Sequence, residues 1–276
     1  MLDKFIYEDH NGRRFVGLDN GVYLNYSDLR DYSWSYDTIN NRISRFYRPV
    51  TSRKIPLVVY CKTDEEAVRV KNRLLELAET DIVARMPGKV IIGDYYTSGY
   101  ITASKKSDFL IHKRLCKIEL TLTSHNPAWY SEKTHVFIPD SDGEIGTGVG
   151  TDYPYTYKYD YALRMQGRNI VCDSVNNNAF RLLVYGPALN PMVIIGGHTY
   201  AVLGSVGAGE TLLVDSAEKT ITLTTEKGTK VNWFDKRGRD EYIFEPIPAG
   251  QSGVSWPGTF GFDLTVIEER SEPKWT

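Results

Sequence analysis

Histidines and cysteines are the residues of this chain best suited to metal or nucleophilic chemistry. The five histidines are His10, His112, His125, His135 and His198, and the three cysteines are Cys61, Cys116 and Cys172. Only His112 and Cys116 approach zinc-ligand spacing; on a strand they would face one side, yet two ligands do not make a site. A surface histidine and a packed cysteine account for the pair. An odd, widely spaced set of cysteines fits free thiols in a reducing cytosol. Gly204-Ser205-Val206-Gly207-Ala208-Gly209 is glycine-rich but lacks a Gly-Lys-Ser/Thr ending and precedes no helix, so it reads as a hairpin loop rather than a phosphate cradle. Gly250-Gln251-Ser252-Gly253-Val254 misses the nucleophile-elbow pattern at its last position. Asp140-Ser141-Asp142-Gly143-Glu144 has a misplaced glycine and no bidentate glutamate for a calcium loop, and reads as a solvated linker. No catalytic residue, metal site or cofactor is expected.

What remains is the chemistry of contact. From Thr38 to Cys61 there is no acidic residue, while Arg42, Arg45, Arg48, Arg53 and Lys54 are interleaved with Phe46 and Tyr47. Such a stretch can bind nucleic acid through phosphate contacts and base stacking. It is also what a protein–protein interface favours. The chain carries 33 basic and 35 acidic residues, a net charge of −2, so composition does not point to a nucleic-acid binder. Arg42, Arg45, Phe46, Tyr47, Arg48 and Arg53 are therefore candidate contacts to a protein partner. The 19 tyrosines, clustered at 95–100 and 153–161, point the same way. His125-Asn126-Pro127-Ala128-Trp129 resembles the galactose-binding motif of galectins, but the galectin arginine and its downstream Trp-x-x-Glu-x-Arg are missing. Asn126-Pro127 instead ends a strand, with Trp129 and Tyr130 packed at the domain edge.

The elements that must position these residues divide into two halves. At roughly 150 residues per domain, 276 residues favour two domains or one large all-β domain, with enough core to need no disulfide or metal. No apolar run nears the roughly 18 residues of a spanning helix, and Met1-Leu2-Asp3-Lys4-Phe5 lacks a signal-peptide stretch. A soluble intracellular product without membrane contact is expected. Residues 1–138 hold 21 basic and 17 acidic residues, and residues 139–276 hold 12 and 18. Between them, residues 139–150 carry four glycines, a proline and three acids, too polar to order themselves well. The expected division is a first domain at 1–138, a linker at 139–150 and a second domain at 151–276.

In the first half, Phe5–Glu8 and Arg13–Leu18 flank an Asn11-Gly12 turn. Residues 28–52 lose all regular period, which predicts a long excursion of a functional or partner-ordered kind. Ile55–Tyr60 reads as a buried strand. Thr63-Asp64-Glu65-Glu66 opens a helix with a capping box; Ala67, Val70, Leu74, Leu77 and Ala78 form its buried stripe, which stops near Thr80. Val90–Ile92 is a strand after the Pro87-Gly88 turn, and Cys116 to Thr123 alternates as a half-buried strand. The second half has no convincing helix. Its candidate strands are Tyr159–Met165, Phe180–Tyr185, Val193–Ile195, His198–Leu203, Thr211–Asp215, Thr220–Thr224, Tyr242–Phe244 and Phe260–Ile267, punctuated as in an antiparallel sandwich.

The end of the chain is the most specific part. Trp233-Phe234-Asp235-Lys236-Arg237-Gly238-Arg239-Asp240-Glu241-Tyr242-Ile243-Phe244-Glu245 leads to Ile247-Pro248-Ala249-Gly250. Val254-Ser255-Trp256-Pro257-Gly258, Phe260-Gly261-Phe262-Asp263 and the terminal Glu268-Glu269-Arg270-Ser271-Glu272-Pro273-Lys274-Trp275 follow. This resembles the C-terminal signature of distal tail proteins (Dit) from siphophages and prophages of Gram-positive bacteria. Ser107-Asp108-Phe109-Leu110-Ile111 through Asn126-Pro127-Ala128-Trp129-Tyr130 resembles the final strands of that family's ring domain.

The resemblance implies a mainly β chain, with a tail-tube-like β-sandwich bearing one helix and then a galectin-like or carbohydrate-module-like β-sandwich. It implies a structural protein of the virion tail tip, made in the host cytoplasm, without catalytic residues or cofactor to carry over. Copies would form a hexameric ring between the tail-tube protein and the tail-associated hub protein, with the second domain offered to receptor-binding or other baseplate proteins. Residues 28–54 would lie along neighbouring subunits, and the helix would pack across the sheet of the ring domain. The competing expectation is a carbohydrate-binding module, which needs an exposed aromatic platform; Trp233, Trp256 and Trp275 are expected to be buried framework instead. A wall-degrading hydrolase lacks its constellation here, and a tail-tube subunit would form tubes rather than closed rings.

Overall fold

The computed structural model describes residues 4–25, 27–107, 114–139 and 166–275. It divides into two compact units, Met1–Ser131 with Glu269–Thr276, and Glu132–Glu268. The stretch expected as a linker and the Tyr159–Met165 strand lie outside the described residues, except for Pro139. The chain leaves the first unit within one strand and returns within another, so its last residues, expected with the second domain, pack with the first.

In the first unit, β1 (Ile6–Glu8) pairs with β2 (Arg14–Val16) across the expected turn, where Gly12 has φ +78°. β3 (Val22–Leu24) follows, then an outlying hairpin of β4 (Ser35–Ile39) and β5 (Arg42–Tyr47), then β6 (Thr51–Tyr60). Helix α1 covers Asp64–Ala84, with β7 (Gly88–Ile92), β8 (Tyr95–Ser107), β9 (Leu115–Ser124) and β10 (Trp129–Phe137) after it. All pairings are antiparallel: β2-β1-β7-β8 on one side and β8-β9-β6-β3 on the other. β8 serves both, giving Tyr95–Gly99 to β7 and Tyr100–Ser107 to β9, with a register shift between Ile101 and Ala103. Such a bulge bends a strand sharply, which folds the sheet over its own core.

The Thr63 hydroxyl accepts from the Glu66 amide at 3.1 Å, and the Glu66 carboxylate accepts from the Thr63 amide at 3.3 Å, so the expected capping box forms. The predicted stripe of Ala67, Val70, Leu74, Leu77 and Ala78 is buried. The helix runs past Thr80 to Ala84 because its last buried residue is Asp81, while Ile82 and Val83 face solvent. An apolar stripe therefore ends before the helix does.

In the second unit, β11 (Gln166–Cys172), β12 (Ala179–Tyr185), β13 (Ala188–Leu189), β14 (Met192–Ile195), β15 (His198–Ala201) and β16 (Ser205–Val206) come first. β17 (Thr211–Asp215), β18 (Thr220–Thr224), β19 (Lys230–Asn232), β20 (Gly250–Trp256) and β21 (Phe262–Arg270) complete it. One sheet runs β21-β12-β17-β18-β19 and the other β11-β20-β14-β15. Their inner faces meet in a single core around Phe180, Leu182, Val214, Ile195, Trp256 and Phe262, a sandwich as expected. Phe137 stacks on Phe262 with centroids 4.5 Å apart and meets Trp256 edge-on. Tyr242–Phe244 is a turn rather than the expected strand: Phe244 is buried and Tyr242 is half in solvent, so an apolar pair packs there without joining a ladder. β11 and β20 pair over seven residues; their glycines, serines and polar residues gave no alternation to read.

Candidate assembly surface

The acid-free stretch, read above as an irregular excursion, is a β-hairpin. Asn40 and Asn41, with φ of +49° and +61°, supply the two left-handed residues that a tight hairpin turn requires. Tyr36 pairs with Phe46, Asp37 with Arg45, Thr38 with Ile43 and Ile39 with Arg42, leaving Ser44 as an extra residue. The Ser44 hydroxyl donates to the Asp37 carbonyl at 3.1 Å at that irregularity. Cross-strand partners share a face, so Tyr36, Thr38, Ile43 and Phe46 lie on one side and Asp37, Ile39, Arg42 and Arg45 on the other.

Every residue of β5 is exposed, as are all but one of β4. Tyr36, Ile43 and Phe46 are 58%, 52% and 59% exposed. The Tyr36 and Phe46 rings meet edge to face at 6.4 Å, and Arg45 lies 5.7 Å from the Tyr47 ring. An isolated two-stranded hairpin is marginal in water.

The six predicted contact residues divide into two groups. Arg42, Arg45 and Phe46 are exposed on the hairpin, and Tyr47 borders it. Arg48 is committed within the chain: its guanidinium sits 4.3 Å over the Trp34 ring and pairs with Glu269. Arg53 is 4% exposed, and its Nη2 donates to the Pro127 carbonyl at 2.9 Å. Burial lowers the Arg53 pKa, Asp31 opposes that shift and Arg48 adds to it. Arg53 is therefore a buried residue of β6, paired with β9, rather than an exposed residue of the hairpin. The returning C-terminus braces the same region: Arg30 lies 4.4 Å over the Trp275 ring and donates to the Pro273 carbonyl at 3.2 Å.

The other sequence candidates are dispersed. His112 and Asp140–Glu144 lie outside the described residues, and Cys116 is fully buried. Gly204–Gly209 forms the short β16 and a turn, and Gly250–Val254 lies in β20. Among the described residues, no three His, Cys, Asp or Glu side chains gather where they could hold a metal ion, and no helix is long and apolar enough to cross a membrane. Trp256 is buried as expected, whereas Trp233 is only partly covered and Trp275 is 74% exposed, because the terminal residues lie on the surface of the first unit.

One buried cluster left no periodic trace in the sequence. Asp81, fully buried at the end of α1, accepts from the Tyr7 hydroxyl and from the His10 amide at 2.9 Å, and its Oδ1 lies 2.7 Å from His10 Nδ1. Burial first, then the Asp81 bond and charge, push the Tyr7 hydroxyl far above its ordinary pKa. The cluster clasps the first hairpin to the helix.

The chain forms two successive β units, the first with one capped helix on its sheet and an outlying hairpin. That fold is shared over nearly the whole chain with the Dit protein (gp 19.1) of phage SPP1, described as a paradigm of the hub adsorption apparatus in phages infecting Gram-positive bacteria. The two are 11% identical, with 98% of this chain and all of that one covered and a TM-score of 0.59. A chain of the phage P2 baseplate in its activated conformation with Ca is 12% identical, with 99% and 100% covered and a TM-score of 0.61. The same baseplate with Sr gives 11% identity, the same coverage and a TM-score of 0.60. No family model and no curated protein matches the sequence.

Proposed function

We propose that this chain is a structural subunit of a phage tail tip, a distal tail protein acting without catalysis or cofactor. Copies close into a hexameric ring joining the tail tube to the tail-associated hub protein, with the second unit presented to receptor-binding or other baseplate proteins. The observation that carries this reading is the β4–β5 hairpin, an ordered element whose large apolar side chains lie in water until another chain covers them. Arg42, Arg45, Phe46 and Tyr47 form the contact. Light scattering with negative-stain imaging tests it. Six chains of 31.4 kDa, about 188 kDa, in closed rings are expected, and a monomer at every concentration would overturn self-assembly.

A second reading, glycan binding by the second unit, rests on one observation. Tyr242 and Phe234, 52% and 37% exposed, both pack against the Phe244 ring, and the Arg237 guanidinium lies 4.3 Å from the Phe234 ring. Glu241 and His198 lie 3.1 Å apart, and His198 Nε2 is 2.8 Å from the Tyr242 carbonyl. An aromatic surface with convergent polar groups suits a sugar. A cell-wall pull-down that is unchanged by Tyr242→Ala would remove this reading.

A further inference from the structure

The β4–β5 hairpin is joined to the rest of the first unit by two short segments, 31–34 and 48–50, neither of them in a helix or strand. Among the described residues its strands pair only with each other. Short unpaired segments at the ends of an element are where hinges form. A cavity of about 210 Å³ is lined by Tyr32 and Ser33 from the first segment and by Arg48 from the second. The root of the hairpin is therefore not packed solid, and its direction is set by the contacts made there.

Those contacts come from the end of the chain. Arg30 closes the one-turn helix Asp28–Arg30 just before the first segment. It lies 4.4 Å over the Trp275 ring and donates to the Pro273 carbonyl at 3.2 Å. Trp34, the last residue of that segment, has the Arg48 guanidinium 4.3 Å over its ring, which ties the two segments together. Arg48, the first residue of the second segment, pairs with Glu269 and donates from Nη2 to the Ser271 hydroxyl at 3.5 Å. We infer that residues 269–275 form a latch that fixes the direction in which the hairpin projects, and that releasing it lets the hairpin swing. The part of the latch in assembly rests on the ring reading. Its contacts are of a kind that can open: Glu269 and Trp275 are exposed, and ion pairs open to water hold weakly.

A distance measurement between two spin labels on the full-length chain tests this, with Ile39→Cys near the hairpin tip and Glu76→Cys on α1. Both positions are exposed and the native thiols are buried. At a concentration where light scattering gives the monomer, the doubly labelled chain should show one narrow distance. Adding Glu269→Arg, which sets like charges together at the latch, should replace that peak by a broad distribution, with melting unchanged. Trp34→Ala, at an exposed ring, should do the same. The narrow distance surviving in both variants would overturn the latch, and so would a broad distribution in the chain that keeps Glu269 and Trp34. Light scattering at higher concentration reads the consequence: Glu269→Arg should lower native mass. Rings of full mass together with a freed hairpin would overturn the part of the latch in assembly. A native chain that is monomeric at every concentration would overturn the ring reading, while the distance measurement would still decide the latch.

Discussion

The Tyr7 hydroxyl donates to the buried carboxylate of Asp81, 74 residues later in the chain, and so fixes the first strand to the last turn of α1. Gly88 stands against both groups: a Cβ at that position would collide with the Asp81 carboxylate and the Tyr7 hydroxyl. Asp81→Leu would leave the Tyr7 hydroxyl and the His10 amide without their acceptor. Each unsatisfied buried donor costs about 1–3 kcal/mol, so a loss of roughly 3 kcal/mol is expected in urea unfolding. Asp81→Asn, which keeps an acceptor in place, should lose less.

Asp9 gives the first unit an acid-sensitive anchor. Burial raises its carboxyl pKa, but bonds from the Arg13 amide and guanidinium, the Arg13 charge and the Asn11 amide outweigh that and hold it below its ordinary 3.8. A depressed folded pKa contributes stability that is fully present above the unfolded value and lost as pH falls through the folded one. Urea midpoints should therefore drop below about pH 4, and Asp9→Asn should flatten part of that drop.

Arg53 and Phe46 allow folding and the proposed assembly to be tested apart. Arg53→Glu places a carboxylate where a guanidinium is buried under the Pro127 carbonyl. Reversing a buried charge costs several kcal/mol, so the melting temperature should fall sharply. Phe46→Ser with Arg45→Glu alters exposed positions only. Stability should stay within about 0.5 kcal/mol while native mass falls; unchanged rings would show that the hairpin makes no contact.

The start of α1 depends on one hydroxyl. Thr63→Ala removes the acceptor of the Glu66 amide, and loss of such a cap costs about 1 kcal/mol. Thr63→Ser should restore nearly all of it, with circular dichroism during urea unfolding as the measure.

Elements with one buried side were legible from the residues alone. Thr63 and Glu66 marked the helix start, and Ala67 to Ala78 its inner face. The strand from Leu115 to Ser124 showed itself by alternation, because a half-buried strand must alternate. Tertiary structure decided the rest. The hairpin at Ser35–Tyr47 buries neither face, so burial left no period there, and its one local mark, the Asn40-Asn41 pair, is lost in a stretch that reads as irregular. Arg53 reads in sequence like Arg42 or Arg45, yet its fate follows from pairing between β6 and β9, where it stands opposite Leu122, 69 residues later. Asp81 is one more acid on an acidic helix until Tyr7 and His10 arrive from the first hairpin. Periodicity records which side of an element is covered, and the chain that covers it is chosen by contacts between distant residues.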